Sequence, residues 1–112
     1  MEVSVRKEED IYVVTVLASR IDAACALEFK ETMRRSTDGS PPQVVLDLSE
    51  VTFIDSSGLG AIVATMKLLA PERRLALAGM SPAVDKVFKL TRMDRVFRIF
   101  PTLDEALCGV RV

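Results

Sequence analysis

Histidine is absent from the 112 residues. That removes Ser-His-Asp and Cys-His catalysis, histidine-based zinc sites and the commonest general base near neutral pH. No catalytic residue, metal or cofactor is therefore expected, and the chain reads as something other than an enzyme. Cysteine is scarce too. Cys25 and Cys108 are far apart and each lies among apolar neighbours, which suggests two buried reduced thiols rather than a disulfide or a metal pair. Long apolar runs are missing: the longest, residues 11–18, is less than half of a membrane span even allowing Thr15. Residues 6–10 are charged where a signal peptide needs its apolar stretch. A soluble, cytoplasmic protein without a membrane partner is the expectation. Fifteen basic against 16 acidic residues leave a formal charge of −1, too little for a global field that would gather nucleic acid. Partners must be recognised locally.

What is present is enough to fold. Hydrophobic residues make up 49% and charged residues 28%, so burial can offset chain entropy while the surface stays soluble. At this length a second independent core would leave each half too small, so residues 1–112 are expected to form one domain. No pattern demands a dimer, and a monomer is expected.

Val3 and Val5 alternate with polar neighbours, and residues 6–10 read as a charged turn before the β-branched stretch 11–17, which predicts a hairpin whose second strand is central. Asp22 is a candidate cap for a helix with Ala26, Phe29, Met33 and Cys25 at spacings of three and four, ended by Thr37-Asp38-Gly39-Ser40-Pro41-Pro42. Residues 44–48 predict a buried strand. A helix from about Ser57 carries Leu59, Ile62, Val63, Met66 and Leu69 and closes at Pro71. Residues 75–78 predict another strand. Ser81-Pro82 opens a third helix with Val84, Val87, Phe88 and Thr91 inward, ending by Met93 or Asp94. Residues 96–100 predict a last strand, and Thr102 caps a final helix with Leu103, Ala106 and Leu107. The order ββαβαβαβα, about five strands and four helices, predicts an α/β fold with a mixed, mostly parallel sheet and right-handed crossovers.

The most distinctive stretch is residues 47–63, a strand, a loop and the opening of a helix, with Asp55-Ser56-Ser57-Gly58-Leu59-Gly60 at its centre. First-turn N–H groups lack intrahelical partners and sit at the positive end of the macrodipole, so a phosphate on Ser56 or Ser57 would meet waiting donors. Gly58 and Gly60 leave the first turn open to close approach by a phosphate or a partner loop. Asp55, Ser56 and Ser57 serve equally well as plain capping residues, and local physics does not choose. A dinucleotide loop is disfavoured, because Val63 stands where the third glycine belongs and no Gly-Lys-Ser/Thr tail follows.

The stretch from Asp47 through Leu48-Ser49-Glu50-Val51-Thr52-Phe53-Ile54 to Asp55-Ser56-Ser57-Gly58-Leu59-Gly60 resembles the signature of STAS domains, specifically the single-domain bacterial anti-sigma factor antagonists. Ser19-Arg20-Ile21-Asp22 falls where that family has a Gly-x-Leu-Asp turn, and Ser81-Pro82-Ala83-Val84 resembles its Ser-Pro helix start. The resemblance covers essentially the whole chain. It implies that Ser56 accepts a phosphate from a serine kinase that is also the anti-sigma factor. It further implies that the unphosphorylated protein binds this kinase and releases its client, and that a serine phosphatase resets the cycle. Asp55, Ser57, Gly58, Leu59 and Gly60 would shape the loop or the partner surface, and Asp22 matches a turn aspartate near that surface. Ser19 departs from the usual glycine, and Arg20 stands where an acidic residue is common.

Three other readings stay open. STAS domains also serve as accessory subunits of transporters or sensory complexes without using phosphate. An enzyme with Ser56 or Ser57 as nucleophile lacks a base, Lys67 being the nearest following lysine on the same helix. A nucleic-acid patch among Lys86, Lys89, Arg92, Arg95 and Arg98 is weaker than a solvated basic face, since Phe88 and Phe97 fit buried positions.

Overall fold

The computed structural model describes residues 1–111, so the last position of the expected domain, Val112, lies outside the described residues. Strands β1 (Val3–Glu8) and β2 (Ile11–Val16) form an antiparallel hairpin. Two short strands, β3 (Arg20–Ile21) and β5 (Phe53–Ile54), stand apart from the main sheet. β2 pairs in parallel with β4 (Gln43–Asp47), and β6 (Arg74–Ala78) and β7 (Arg98–Phe100) complete a five-stranded sheet of order β1-β2-β4-β6-β7. Each step from β2 to β7 passes through one helix: α1 (Ala26–Ser36), α2 (Ser56–Leu69) and α3 (Pro82–Leu90). Because the sheet advances by one strand at each crossover, crossovers of one hand put all three helices on one face. α4 (Leu103–Gly109) covers the other.

Strand alternation sorts the core accordingly. Val14, Val16, Val44, Leu46, Leu75 and Leu77 point toward Phe29 and Met33 of α1, Ile62 and Leu69 of α2, and Val84 and Phe88 of α3. Ile11, Val13, Val45, Ala76 and Ala78 meet Ala106 and Val110 around α4. Phe88 and Phe97, both buried, meet edge to face with centroids 5.9 Å apart. The five basic residues of this region are all exposed.

Several boundaries differ from the sequence expectations for identifiable reasons. The charged segment 6–10 is mostly strand. β1 runs to Glu8 and only Glu9 and Asp10 turn, with Glu9 at φ 58°, while Arg6 pairs with Glu8 at 2.7 Å along the sheet edge. Charge is well tolerated there because the edge is solvated. α3 stops at Leu90, and the left-handed Arg92 (φ 61°) turns the chain into a 3-10 turn at Met93–Arg95, so Thr91 is exposed rather than inward. The last strand begins at Arg98, leaving Val96 on the surface. Neither cysteine is buried: both are free, Cys25 half-buried and Cys108 exposed, because α4 turns only its Ala106 side to the sheet.

β3 and β5 are strands that periodicity could not reveal. They pair in parallel, Arg20 opposite Phe53 and Ile21 opposite Ile54. At two residues each they are too short to carry a pattern. They bring the turn at 19–25 against the mouth of α2.

Candidate functional site

The site is a junction of two loops, held mostly by backbone groups. The Ser19 carbonyl accepts from the N–H groups of Thr52 (2.8 Å) and Phe53 (3.2 Å) and from Thr52 Oγ1 (3.2 Å). Its backbone does not need the left-handed region, which among non-glycine residues only Glu9 and Arg92 adopt in the described chain, so serine fits where glycine is usual. Next, the Ile21 carbonyl accepts from Asp55 N–H at 3.4 Å.

Asp55 is the centre of the junction. With extended backbone (φ −111°, ψ −174°) it caps α2, its Oδ1 accepting from Gly58 N–H at 2.9 Å. Its Oδ2 accepts from Ala23 N–H at 3.0 Å across 32 residues of sequence. One carboxylate therefore ties the helix start to the Asp22 turn. The expectation that Gly58 and Gly60 together leave the turn open is corrected for Gly58. That residue is buried, and a Cβ on it would lie 1.9 Å from the Ile21 carbonyl oxygen. Its missing side chain is needed by the chain itself. Leu59 is likewise buried in the core, whereas Gly60 is exposed, and a Cβ on it would meet nothing within 4 Å.

Asp22 does not cap α1. The helix starts at Ala26, behind Cys25, which makes no side-chain cap. Instead Asp22 closes its own turn: Oδ1 accepts from Ala24 N–H at 3.1 Å, and Oδ2 accepts from Arg20 Nε at 3.0 Å. Cys25 Sγ lies 3.5 Å from Asp22 Oδ1 and accepts from Asp22 N–H at 3.4 Å. The Arg20 hydrogen bond chiefly holds the Asp22 carboxyl below the ordinary aspartate value; desolvation opposes it, and the Cys25 thiol adds a weaker lowering. A depressed folded value means the contact supports the fold above the unfolded pKa and fades as pH falls through the folded one. Arg20→Ala is expected to move the Asp22 titration midpoint upward toward the ordinary aspartate value, read by NMR of the carboxyl carbon.

The same guanidinium lies 4.2 Å above the Phe53 ring, and Phe53 is 41% exposed. This Arg20–Phe53 platform escapes sequence reasoning, since its two halves meet only through the two-residue β3–β5 pair. Arg20 is the only basic residue in the two segments 19–26 and 49–60 that build the junction. Beside it, Ser56 and Ser57 are the first two residues of α2 and both are exposed. Leu59 N–H makes the first intrahelical bond, to Asp55, and Gly58 N–H is taken by the Asp55 side chain. The N–H groups of Ser56 and Ser57 are thus left at the positive helix end. Among the described residues no group of metal-ligating side chains gathers here or elsewhere.

A sheet of this order with three helices on one face and an Asp-Ser-Ser helix mouth defines the STAS class, and the chain belongs to the STAS domain family, whose model matches residues 2–106. Several of its relatives within that family are named anti-sigma factor antagonists. It is 30% identical over 98 residues to the anti-sigma-F factor antagonist RsfB of Mycobacterium tuberculosis, covering 88% of this chain and 80% of that one. With the anti-sigma-B factor antagonist of Listeria monocytogenes it shares 26% identity over 100 residues, 88% of each chain. The crystal structure of an anti-sigma factor antagonist from Mycobacterium paratuberculosis superimposes with a TM-score of 0.88 at 33% identity, covering 99% of this chain and 94% of that one. No helix among the described residues is long and apolar enough to cross a membrane.

Proposed function

We propose that this chain, acting as one domain over residues 1–112, is the antagonist in a partner switch: unphosphorylated, it binds a serine kinase that is also an anti-sigma factor and displaces the kinase's client. The observation that carries the reading is the exposed Ser56 at the first position of α2, on a mouth locked by Asp55 and Gly58. The kinase moves the γ-phosphoryl group of ATP to Ser56 Oγ. The hydroxyl proton goes to a base on the kinase, and ADP leaves. The product carries about −1.5 to −2 charges. At the helix mouth that charge is tolerated by the positive helix end, so the domain stays folded while its partner surface gains negative charge. A serine phosphatase removes the group and resets the switch. Magnesium and ATP belong to the kinase. Monomeric, cytoplasmic action needs nothing further from this chain.

Ser56 rather than Ser57 is the acceptor by its place directly after the motif aspartate, and Asp22, Leu59 and Gly60 support the surface around it. The anti-sigma kinases encoded in the same genome, purified and supplied one by one with magnesium and ATP, test this. One of them is expected to add a single phosphate that peptide mass spectrometry maps to Ser56. Ser56→Ala should abolish incorporation and Ser57→Ala should retain it. Phosphate on Ser57 alone, or none with any kinase, contradicts the reading. No observation in the molecule favours the transporter-subunit alternative.

A further inference from the structure

Beyond the helix mouth, α1 and α2 leave a groove of about 290 Å³ between them. Two exposed leucines line it, Leu27 of α1 at 73% and Leu68 of α2 at 45%. Ala64 lies between them on the α2 side. The groove lies on the face of α2 that leads back to the Ser56 mouth. Gly60 sits one turn beyond Ser56 and Ser57 and one turn before Ala64, which is one turn before Leu68, so these residues share a face. The track from Ser57 to Leu68 is roughly 16 Å long at the helical rise. Beyond the backbone of its own helix and its chain neighbours, nothing in the described chain lies within 4 Å of a Cβ placed on Gly60. Unlike Gly58, then, Gly60 weakens the helix without serving any contact inside the fold. The charges point to the occupant. Glu31 is paired with Arg34 at 2.8 Å, whereas the exposed Lys30 and Lys67, on α1 and α2, have no ion-pair partner among the described residues.

We infer that the α1–α2 groove is the second half of the partner surface, and that it takes an amphipathic helix of the serine kinase/anti-sigma factor, apolar on its inner face and acidic along its rims. The inference rests on the partner-switch reading and extends it. Leu27 and Leu68 receive the apolar anchors. Gly60 and Ala64 let the two helix axes approach closely where they cross. Lys30 and Lys67 pair with the acidic rims. One end of the bound helix reaches the Ser56 mouth, which places the phosphate against an acidic segment and gives the modification its leverage over the whole groove.

The test uses the full chain and the purified kinase that phosphorylates it. Leu27→Asp and Leu68→Asp are each expected to weaken binding at least about 30-fold. Both sites are exposed, so melting temperature should hold. Lys30→Glu with Lys67→Glu is expected to weaken binding by about 10-fold at low salt, a difference that shrinks as salt rises. Gly60→Ala is expected to raise the melting temperature by about 4 °C and still weaken binding. Amide exchange in the complex should slow over residues 27–34 and 60–68. If the groove variants bind like wild type while Ser56→Asp does not bind, the groove inference is overturned and the partner switch stands. If the wild-type chain binds no kinase, both fall together. Self-association of the chain that Leu27→Asp abolishes would assign the groove to a second copy and overturn the inference as well.

Discussion

Replacing Ser56 by aspartate is expected to weaken kinase binding by about 100-fold or more, whereas Ser56→Ala should bind as the unmodified chain does and never be released. The contrast follows from where the residue sits. Ser56 is exposed at the first position of α2, beside a carboxylate, Asp55, whose two oxygens are already engaged with Gly58 and Ala23. A new negative charge there finds only the Ser56 and Ser57 N–H groups within the helix start, and the one basic residue of the two junction loops, Arg20, is committed to Asp22 and Phe53. Most of the added charge therefore faces outward, into the partner. Because no buried contact is lost, the melting temperature of Ser56→Asp should stay within a few degrees of wild type. Isothermal titration of the purified kinase with both variants checks the first part, and calorimetric unfolding the second. Equal affinity of the aspartate and alanine forms would contradict the electrostatic account.

Gly58→Ala should be the most destabilising single-methyl change in the site, costing roughly 3 kcal/mol or more and lowering the melting point by at least about 10 °C. The added carbon would lie 1.9 Å from the Ile21 carbonyl oxygen and 2.7 Å from its carbon, both backbone atoms that cannot swing aside. Relief requires the α2 start to move off β3, which also strains the Asp55 bond to Ala23. Gly60→Ala, two residues later on the same helix, is the natural control, since the same methyl there meets open space. Thermal unfolding of the pair separates a packing requirement from a helix-propensity effect. Comparable stability of the two variants would show that the contact with Ile21 is not what Gly58 serves.

The contrast between these two glycines shows how far the sequence can be read. The long elements are legible because their signals are local and repeated. The apolar spacing from Leu59 to Leu69 makes α2, Ser81-Pro82 and Thr102 start α3 and α4 with the expected side-chain caps, and the β-branched run from Ile11 makes a central strand. Asp55 is recognisable as a cap from its place before a helix. The partner of its second oxygen is not, since Ala23 comes near only when β3 pairs with β5. For the same reason the role of Asp22 differs from the expected cap: a helix cap and a self-closed turn use the same aspartate, and Arg20 decides between them by hydrogen-bonding its Oδ2.

By itself, then, the sequence determined the α/β order, the absence of histidine chemistry and a helix mouth at Ser56 or Ser57, all properties of residue type and short-range spacing. Only the tertiary structure decided that Gly58 is closed and Gly60 open, that Arg20 lies over Phe53, and that Leu27 and Leu68 share an uncovered groove. Those outcomes depend on contacts between segments some 30 or more residues apart, brought together by two-residue strands and helix packing that leave no periodic trace in the chain.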